Sequence, residues 1–330
     1  LFETRFRINR LIAGGVITNY YCTSRCRHCL YRSSPDRPKE YIRPETARNV
    51  FEKIRSMGCR SVHLGGGEPL LEPDSLAAVL SVASRTGIGI EYVETNSSWF
   101  RDAGSAKQML SLLGKHGLKT LMVSISPFHN EFVPFYKIEG VMEAAREGGI
   151  RVLPWIDDFV PELSSFNPGT PHTMDEFESR FGPGYLSNVL GRYWVHPGGR
   201  ALDTLRTVLP VKPLAHLFEN NKESCAAELS NTTHFHIDLF GNYVPGLCSG
   251  LGIDFEDLGG PLDRESYPLL YTLFTRGIHA VFEIARERYG FKPTREGYLN
   301  KCDLCSEIRG HLVRKTGNKF KELKPLDFYR

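Results

Sequence analysis

Along the first half of the chain, short apolar runs alternate with stretches whose apolar residues recur at helical spacing. Runs at 12–19, 61–64, 89–95, 120–125 and 151–155 have the length and content of buried strands. Between them, 44–57, 74–85, 106–116 and 138–147 read as helices. Pro44 suits a first turn, Asp74 or Ser75 can cap, and Gly58, Gly87, Gly117 and Gly148 fall where helices stop. Repeated strand-helix units predict parallel strands with helices outside, as a doubly wound sheet or a barrel. Either architecture gathers its chemistry at the carboxyl ends of the strands. The distinctive sequence does follow the strands: CTSRCRHC (22–29), GGGEP (65–69), TNSSW (95–99), SPFHNEF (126–132) and IDDF (156–159). Five loops are therefore expected at one mouth.

Past residue 160 the period gives way to a Pro and Gly rich stretch that includes NPGTP and HPGGR (196–200). A β-hairpin is predicted at 234–239 and 243–245 around Phe240, Gly241 and Asn242. A helix over 269–288, the CDLC at 302–305 and a helix over 307–315 follow. The pattern divides the chain into a larger unit, 1–215, and a smaller one, 216–330.

Composition narrows the class. With 41% hydrophobic and 24% charged residues in 330, the chain is neither disordered nor fibrous. A net charge of +3 with scattered Lys and Arg makes no basic stripe, so nucleic acid is not expected except as a substrate. The longest apolar candidate, 269–285, is broken by Arg276, His279 and Glu283, so no membrane span is expected. LIAGGVI (11–17), behind Arg5, Arg7 and Arg10, imitates a signal peptide but lacks a cleavage site and reads as a strand. Eight cysteines are too few to staple a chain of this size. A cytoplasmic protein whose clustered cysteines hold metal or do redox chemistry is the expectation.

Cys22, Cys26 and Cys29 put three thiols in one loop, one too many for a disulfide and one too few for a closed zinc site. A 4Fe-4S cluster has four irons, so three thiolates would leave one iron open. The CxxxCxxC after the first strand, with GGEP after the second, resembles the radical S-adenosylmethionine (radical SAM) superfamily. That resemblance implies a partial (β/α)6 barrel, with a cluster held by Cys22, Cys26 and Cys29 and chelated at its open iron by S-adenosylmethionine. Reduction would then yield a 5'-deoxyadenosyl radical that takes a hydrogen atom from substrate. It further implies that Gly66, Gly67, Glu68 and Pro69 receive the methionine amino group, and that Asn96, Ser124 and Ser126 contact ribose or carboxylate; ordinary turn formers and helix caps are the equal alternative for these three. The two glycines allow close backbone approach. Glu68, before proline, favours an extended backbone that can turn its carbonyl outward. His28 departs from the family, standing where an aromatic ring usually covers the cofactor. The competing zinc site of Cys22, Cys26, Cys29 and His28 would need adjacent ligands, whereas zinc ligands come as spaced pairs. His129, Asp157 and Asp158 could face substrate or belong to solvated loops.

Cys225, Cys248, Cys302 and Cys305 make a second set, enough to close a 4Fe-4S cluster or a zinc ion. Their order around the hairpin resembles the Twitch domain, a shortened SPASM domain, which implies one auxiliary 4Fe-4S cluster in a small α+β unit. Only Cys59 is left over, at the amino end of its strand, where a small buried hydrophobe is expected. Epimerases of this superfamily often return hydrogen from a thiol. Here that donor would be Cys225, at the cost of a cluster ligand, or another residue such as a tyrosine. The resemblance implies an oxidoreductase or isomerase fed by flavodoxin or ferredoxin. CLYRSSP and SPFHNEF are loosely similar to segments of peptide epimerases of this group, a resemblance that implies, as the first expectation, modification of a ribosomally made peptide by epimerisation or oxidative cross-linking. The lack of a peptide-binding extension before Cys22 favours instead a small-molecule dehydrogenase or epimerase acting on an aminoglycoside-like alcohol. A non-enzymatic, zinc-stabilised binding module is the remaining class.

Overall fold

The structure, a computed structural model, describes residues 6–330, so Arg5 lies outside the described residues. All five predicted strands form: β1 (Gly14–Ile17), β2 (Ser61–Gly65), β3 (Gly89–Thr95), β4 (Thr120–Ser124) and β5 (Arg151–Trp155). They pair in parallel in the order β5-β4-β3-β2-β1. The helices Pro44–Ser56, Pro73–Thr86, Ala103–Lys115 and Phe135–Glu147 cross between them. In the first of these, Ala47, Val50, Phe51 and Ile54 are buried, the i, i+3, i+4, i+7 stripe of a helix laid on a sheet. Ala103–Lys115 starts earlier than periodicity alone suggests because the Asp102 side chain accepts from Ser105 N and caps it.

A short pair, β6 (Lys212–Pro213) with β10 (Gly297–Tyr298), stands apart. The main sheet continues beyond residue 215. β7 (Phe235–Asp238) lies parallel to the free side of β1, and β8 (Asn242–Val244) and β9 (Ile253–Asp254) extend it antiparallel. The predicted hairpin is thus present, and its first strand is the sixth parallel strand of the sheet. The fold is α/β, a partial barrel of parallel strands with a smaller α+β C-terminal part. Among the described residues no helix is long and apolar enough to cross a membrane.

Three departures from the sequence expectation affect the site. The aperiodic stretch after 160 is largely short helices: Val160–Leu163, Met174–Phe181, Tyr185–Arg192, Ala201–Val208 and Leu214–Asn220. Each is too short to show a period, although Thr173 and Glu176 form a capping box that marks one start. The CDLC does not precede its helix: Asn300 caps Lys301–Thr316, accepting from Cys302 N and Asp303 N, so both cysteines sit in the first turns. The long helix Pro268–Tyr289 is broken at Gly277, where φ is 74°. A Cβ there would lie 2.6 Å from Glu223 O, so the chain leading to Cys225 packs against the break. Cys225 N donates to Leu273 O at 2.8 Å, which anchors that cysteine to the broken helix.

β1 carries the junction with β7, and it does so with glycine. A Cβ on Gly14 would lie 2.1 Å from Phe235 O and 2.7 Å from the Phe235 ring. Gly14→Ala is therefore expected to lower the urea midpoint, with a loss of roughly 1–3 kcal/mol from overpacking. Gly114→Ala, in an exposed helix turn with nothing within 4 Å, is expected to raise it by up to ~1 kcal/mol. Equal effects of the two would rule out the packing explanation.

Candidate active site

The cysteine loop and the GGEP loop are joined by backbone pairing that continues the β1–β2 ladder past the strand ends. Thr18 N donates to Gly65 O (2.8 Å), Gly67 N to Asn19 O (2.8 Å) and Glu68 N to Tyr21 O (3.1 Å). Asn19 Nδ2 donates to Tyr21 O and Glu68 O, cross-linking the same two segments. Gly67 permits this approach: a Cβ there would fall 1.9 Å from Tyr21 O. Glu68 is extended (φ −140°, ψ 104°), as its proline dictates. Its carbonyl, however, already accepts from Asn19 rather than simply turning outward. The Glu68 side chain is buried and accepts from Leu70 N, Thr95 Oγ1 and Asn96 N, while burial pushes its carboxyl up to about 7.

A cavity of about 720 Å³ opens at this end of the sheet, lined by Cys22, Cys26, His28 and Cys29 together with Gly66, Gly67, Glu68 and Pro69. Asn96, Ser124 and His129 also line it, so the ends of β1 to β4 converge, and Trp155 brings in β5. Ser126 is not in that lining: it is fully buried, caps the helix Pro127–Asn130 and bonds His129 Nδ1 at 2.7 Å. Asp157 and Asp158 are exposed in the turn after β5 and do not line the cavity either. Cys59 is buried below the sheet, its thiol donating to Ser61 O.

The donor chemistry around the three thiols suits a metal cluster. Burial pushes Cys22 up to about 12 and Cys26 well above the usual thiol range, so neither ionises alone at neutral pH. Yet N–H groups point at the sulfurs: Ser24 N and Asn96 Nδ2 at Cys22 Sγ (3.4 and 3.3 Å), and Ser33 N at Cys29 Sγ (3.3 Å). Such donors stabilise metal-bound thiolate. His28 stacks on Phe128 at 4.9 Å, and among the described residues its buried Nδ1 has no hydrogen-bond partner, a polar atom that a ligand could satisfy.

The HPGGR stretch, aperiodic in sequence, braces this loop. Arg200 N donates to Cys29 O, and its guanidinium donates to Cys26 O and Ser33 O. Gly199, at φ 56°, passes so close that a Cβ would sit 2.1 Å from Leu30 O. Residues 196–206 continue to the second cysteine set. Arg206 pairs with Asp303, the fully buried residue between Cys302 and Cys305. There a smaller cavity is lined by Cys225, Cys248, Cys302 and Cys305 with Arg309. Cys225 lines this cavity and not the large one. Arg309 is 7% exposed and, among the described residues, has no carboxylate partner; it donates to Cys305 O, Ser249 O and Tyr329 Oη. Burial opposes its charge, but Tyr329 and the neighbouring cysteines outweigh that and raise its pKa, so a cation is held here away from solvent. The Arg200 brace was invisible to motif reading because it joins residues 174 apart.

Residues 16–177 match the family description "Radical SAM superfamily". GTP 3',8-cyclase of Tolumonas auensis is 31% identical over 143 residues, 39% of this chain and 39% of that protein. The chain thus spans well under half the length of the curated relative it matches. Among solved structures, anSMEcpe with bound AdoMet aligns over 92% of this chain and 97% of its own, at 11% identity and TM-score 0.45. BtrN in complex with AdoMet and 2-DOIA aligns over 83% and 91%, at 14% identity and TM-score 0.45. The likeness to the radical SAM superfamily thus extends over residues 16–177, just under half of the chain, and includes both the cysteine loop and the GGEP loop.

Arg200→Ala removes two charge-assisted hydrogen bonds from buried carbonyls of the cysteine loop, a loss of about 2–4 kcal/mol. It is expected to lower Tm by several degrees, with Arg200→Lys recovering part of the loss. A thermal scan showing an unchanged Tm for Arg200→Ala would show that the brace is dispensable.

Proposed function

We propose that Cys22, Cys26 and Cys29 hold a 4Fe-4S cluster and the GGEP loop with Asn96 and Ser124 holds S-adenosylmethionine. The chain would then act on a small polar substrate by dehydrogenation or epimerisation. One observation carries this: the three thiols and the GGEP loop share a single cavity of about 720 Å³ with a polar, aromatic wall of Glu94, Tyr92, Tyr31, His234 and His236. When bound, the cluster and cofactor supply a 5'-deoxyadenosyl radical that takes a hydrogen atom from substrate.

The chain's own residues account for the rest. Asn19 and Gly67 lock the two loops together, and the N–H groups aimed at the Cys22 and Cys29 sulfurs would hydrogen-bond them as metal ligands. His28, held in an aromatic nest of Phe128, His129 and Tyr193, is kept neutral by burial and offers a flat face to the cofactor. In the second set, Arg309, which has no carboxylate partner among the described residues, would support four thiolates on an auxiliary 4Fe-4S cluster, as in a Twitch domain spanning roughly 216–330. With Cys225 so used, the hydrogen donor for an epimerase would be one of the cavity tyrosines, Tyr31, Tyr92 or Tyr193. A flavodoxin or ferredoxin as reductant and a cytoplasmic setting accompany this proposal. Peptide modification keeps one physical support: Trp155 and Trp194 line the cavity while 37% and 60% exposed, an apolar rim on which a longer chain could rest.

Anaerobic reconstitution should load about eight irons per chain, and reduction with S-adenosylmethionine should release 5'-deoxyadenosine. The triple variant Cys22→Ala, Cys26→Ala, Cys29→Ala should keep about four irons and release none. Loading of only half the iron in the wild type would remove the auxiliary cluster, whereas full iron without 5'-deoxyadenosine would remove the chemistry. Stimulation of cleavage by amino alcohols and polyols, but not by short peptides, is the outcome expected for the substrate; the reverse would favour the peptide.

A further inference from the structure

The cavity wall away from the cysteines contains a row of residues that radical chemistry at the cluster does not use. In the β2–β1–β7 register, Gly15 is the Cα partner of both His63 and His236. The three positions therefore share one face, and glycine in the middle lets the two imidazoles meet over it. A Cβ on Gly15 would lie 2.2 Å from His63 Nε2. His63 Nε2 and His236 Nε2 stand 3.0 Å apart, and His234, two residues before His236 and so on the same face, brings a third ring against both. One ring nitrogen from each of the three lies within 4.8 Å of the others.

We propose that His63, His234 and His236 form a site for a divalent first-row transition metal ion on the wall of the large cavity. Two nitrogens bound to one such ion at about 2.1 Å are separated by about 3.0–3.4 Å, for right-angle to tetrahedral geometry. The Nε2 pair already has that spacing. The surroundings hold the ligands in place. Tyr31 Oη is 2.7 Å from His236 Nδ1, so with Nδ1–H donating to the phenol oxygen the Nε2 lone pair faces the site. Tyr92 lies parallel to His63 with ring centres 5.1 Å apart, fixing that plane. Glu94 Oε1 is 3.7 Å from His63 Nε2 and supplies a carboxylate at the same point. Room for Glu94 comes from another glycine, since a Cβ on Gly65 would fall 2.5 Å from Glu94 Oε2. Three imidazoles suit zinc, iron, cobalt or nickel, whereas magnesium and calcium prefer all-oxygen sites. His63 and His236 are buried, but His234 is exposed and lines the cavity, so coordination positions left by the protein open there. An ion so placed would bind hydroxyl or carboxylate oxygens of a substrate in that cavity. That last step, unlike the site itself, rests on the function proposed above.

The test uses full-length protein with its clusters reconstituted, so that the thiols are occupied, and zinc as the probe. After anaerobic equilibrium dialysis, about one zinc per chain is expected. Zinc-edge X-ray absorption should show nitrogen or oxygen at about 2.0 Å with imidazole scattering and no sulfur at about 2.3 Å. His234→Ala removes an exposed ring and should weaken zinc binding at least tenfold while iron and sulfide stay at wild-type levels; His236→Asn should do the same. Zinc with sulfur neighbours, zinc retained at wild-type affinity in both variants, or wild-type protein without bound zinc would each overturn the site. Zinc bound as expected in protein that forms no 5'-deoxyadenosine would leave the site standing and remove only the radical chemistry.

Discussion

Everything at the mouth of this barrel depends on a ladder that does not stop where its strands end. β1 and β2 hand over to two loops that stay hydrogen-bonded, Gly67 N to Asn19 O and Glu68 N to Tyr21 O, with Asn19 Nδ2 bridging both sides. A loop of three thiols would otherwise be free to place its sulfurs anywhere within reach. Pairing with a neighbour on the rigid sheet removes that freedom, and the entropy of ordering the loop is met by continuing the ladder. The cost is strict sequence demand at one point: Gly67 has backbone where any side chain would begin.

The second constraint is the segment 196–206, which reaches both cysteine sets. Its first half is held on the Cys26 and Cys29 carbonyls through Arg200, and its second half holds Asp303 through Arg206. His196 lines both cavities, so the wall between them is built from this one stretch and its neighbours. Since β7 also pairs directly with β1, the two parts of the chain share a sheet as well as a bridge. A disturbance in either cysteine set has a short mechanical route to the other, through packed backbone and two half-buried guanidinium contacts.

Small residues recur wherever large ones must meet. Gly14 admits Phe235, Gly15 lets His63 reach His236 across β1, and Gly65 makes room for Glu94. Burial keeps His63 at about 3 and pushes His236 well below the imidazole range, so this corner presents neutral rings; Glu94, pushed up to about 7 by burial and by Glu68, stands beside His63.

Periodicity alone located β1 to β5 and the four helices between them to within a few residues, because each buries one face against a continuous core and so repeats its apolar residues at the spacing of its own geometry. The spacing of Cys22, Cys26 and Cys29 and the GGEP that follows were equally legible, since ligands and loop lie within single short segments. What the sequence could not show is whatever depends on residues far apart in it. The short helices after 160 carry too few turns to repeat a pattern. The CxxC moved into a helix because Asn300 caps it. The attachment of β7 to β1, the Arg200 brace, and the meeting of His63 with His234 and His236 all arise from strand order and register. Those are set only when the whole sheet closes, because side chains separated by more than 170 residues come into contact through the shared core and not through any local preference.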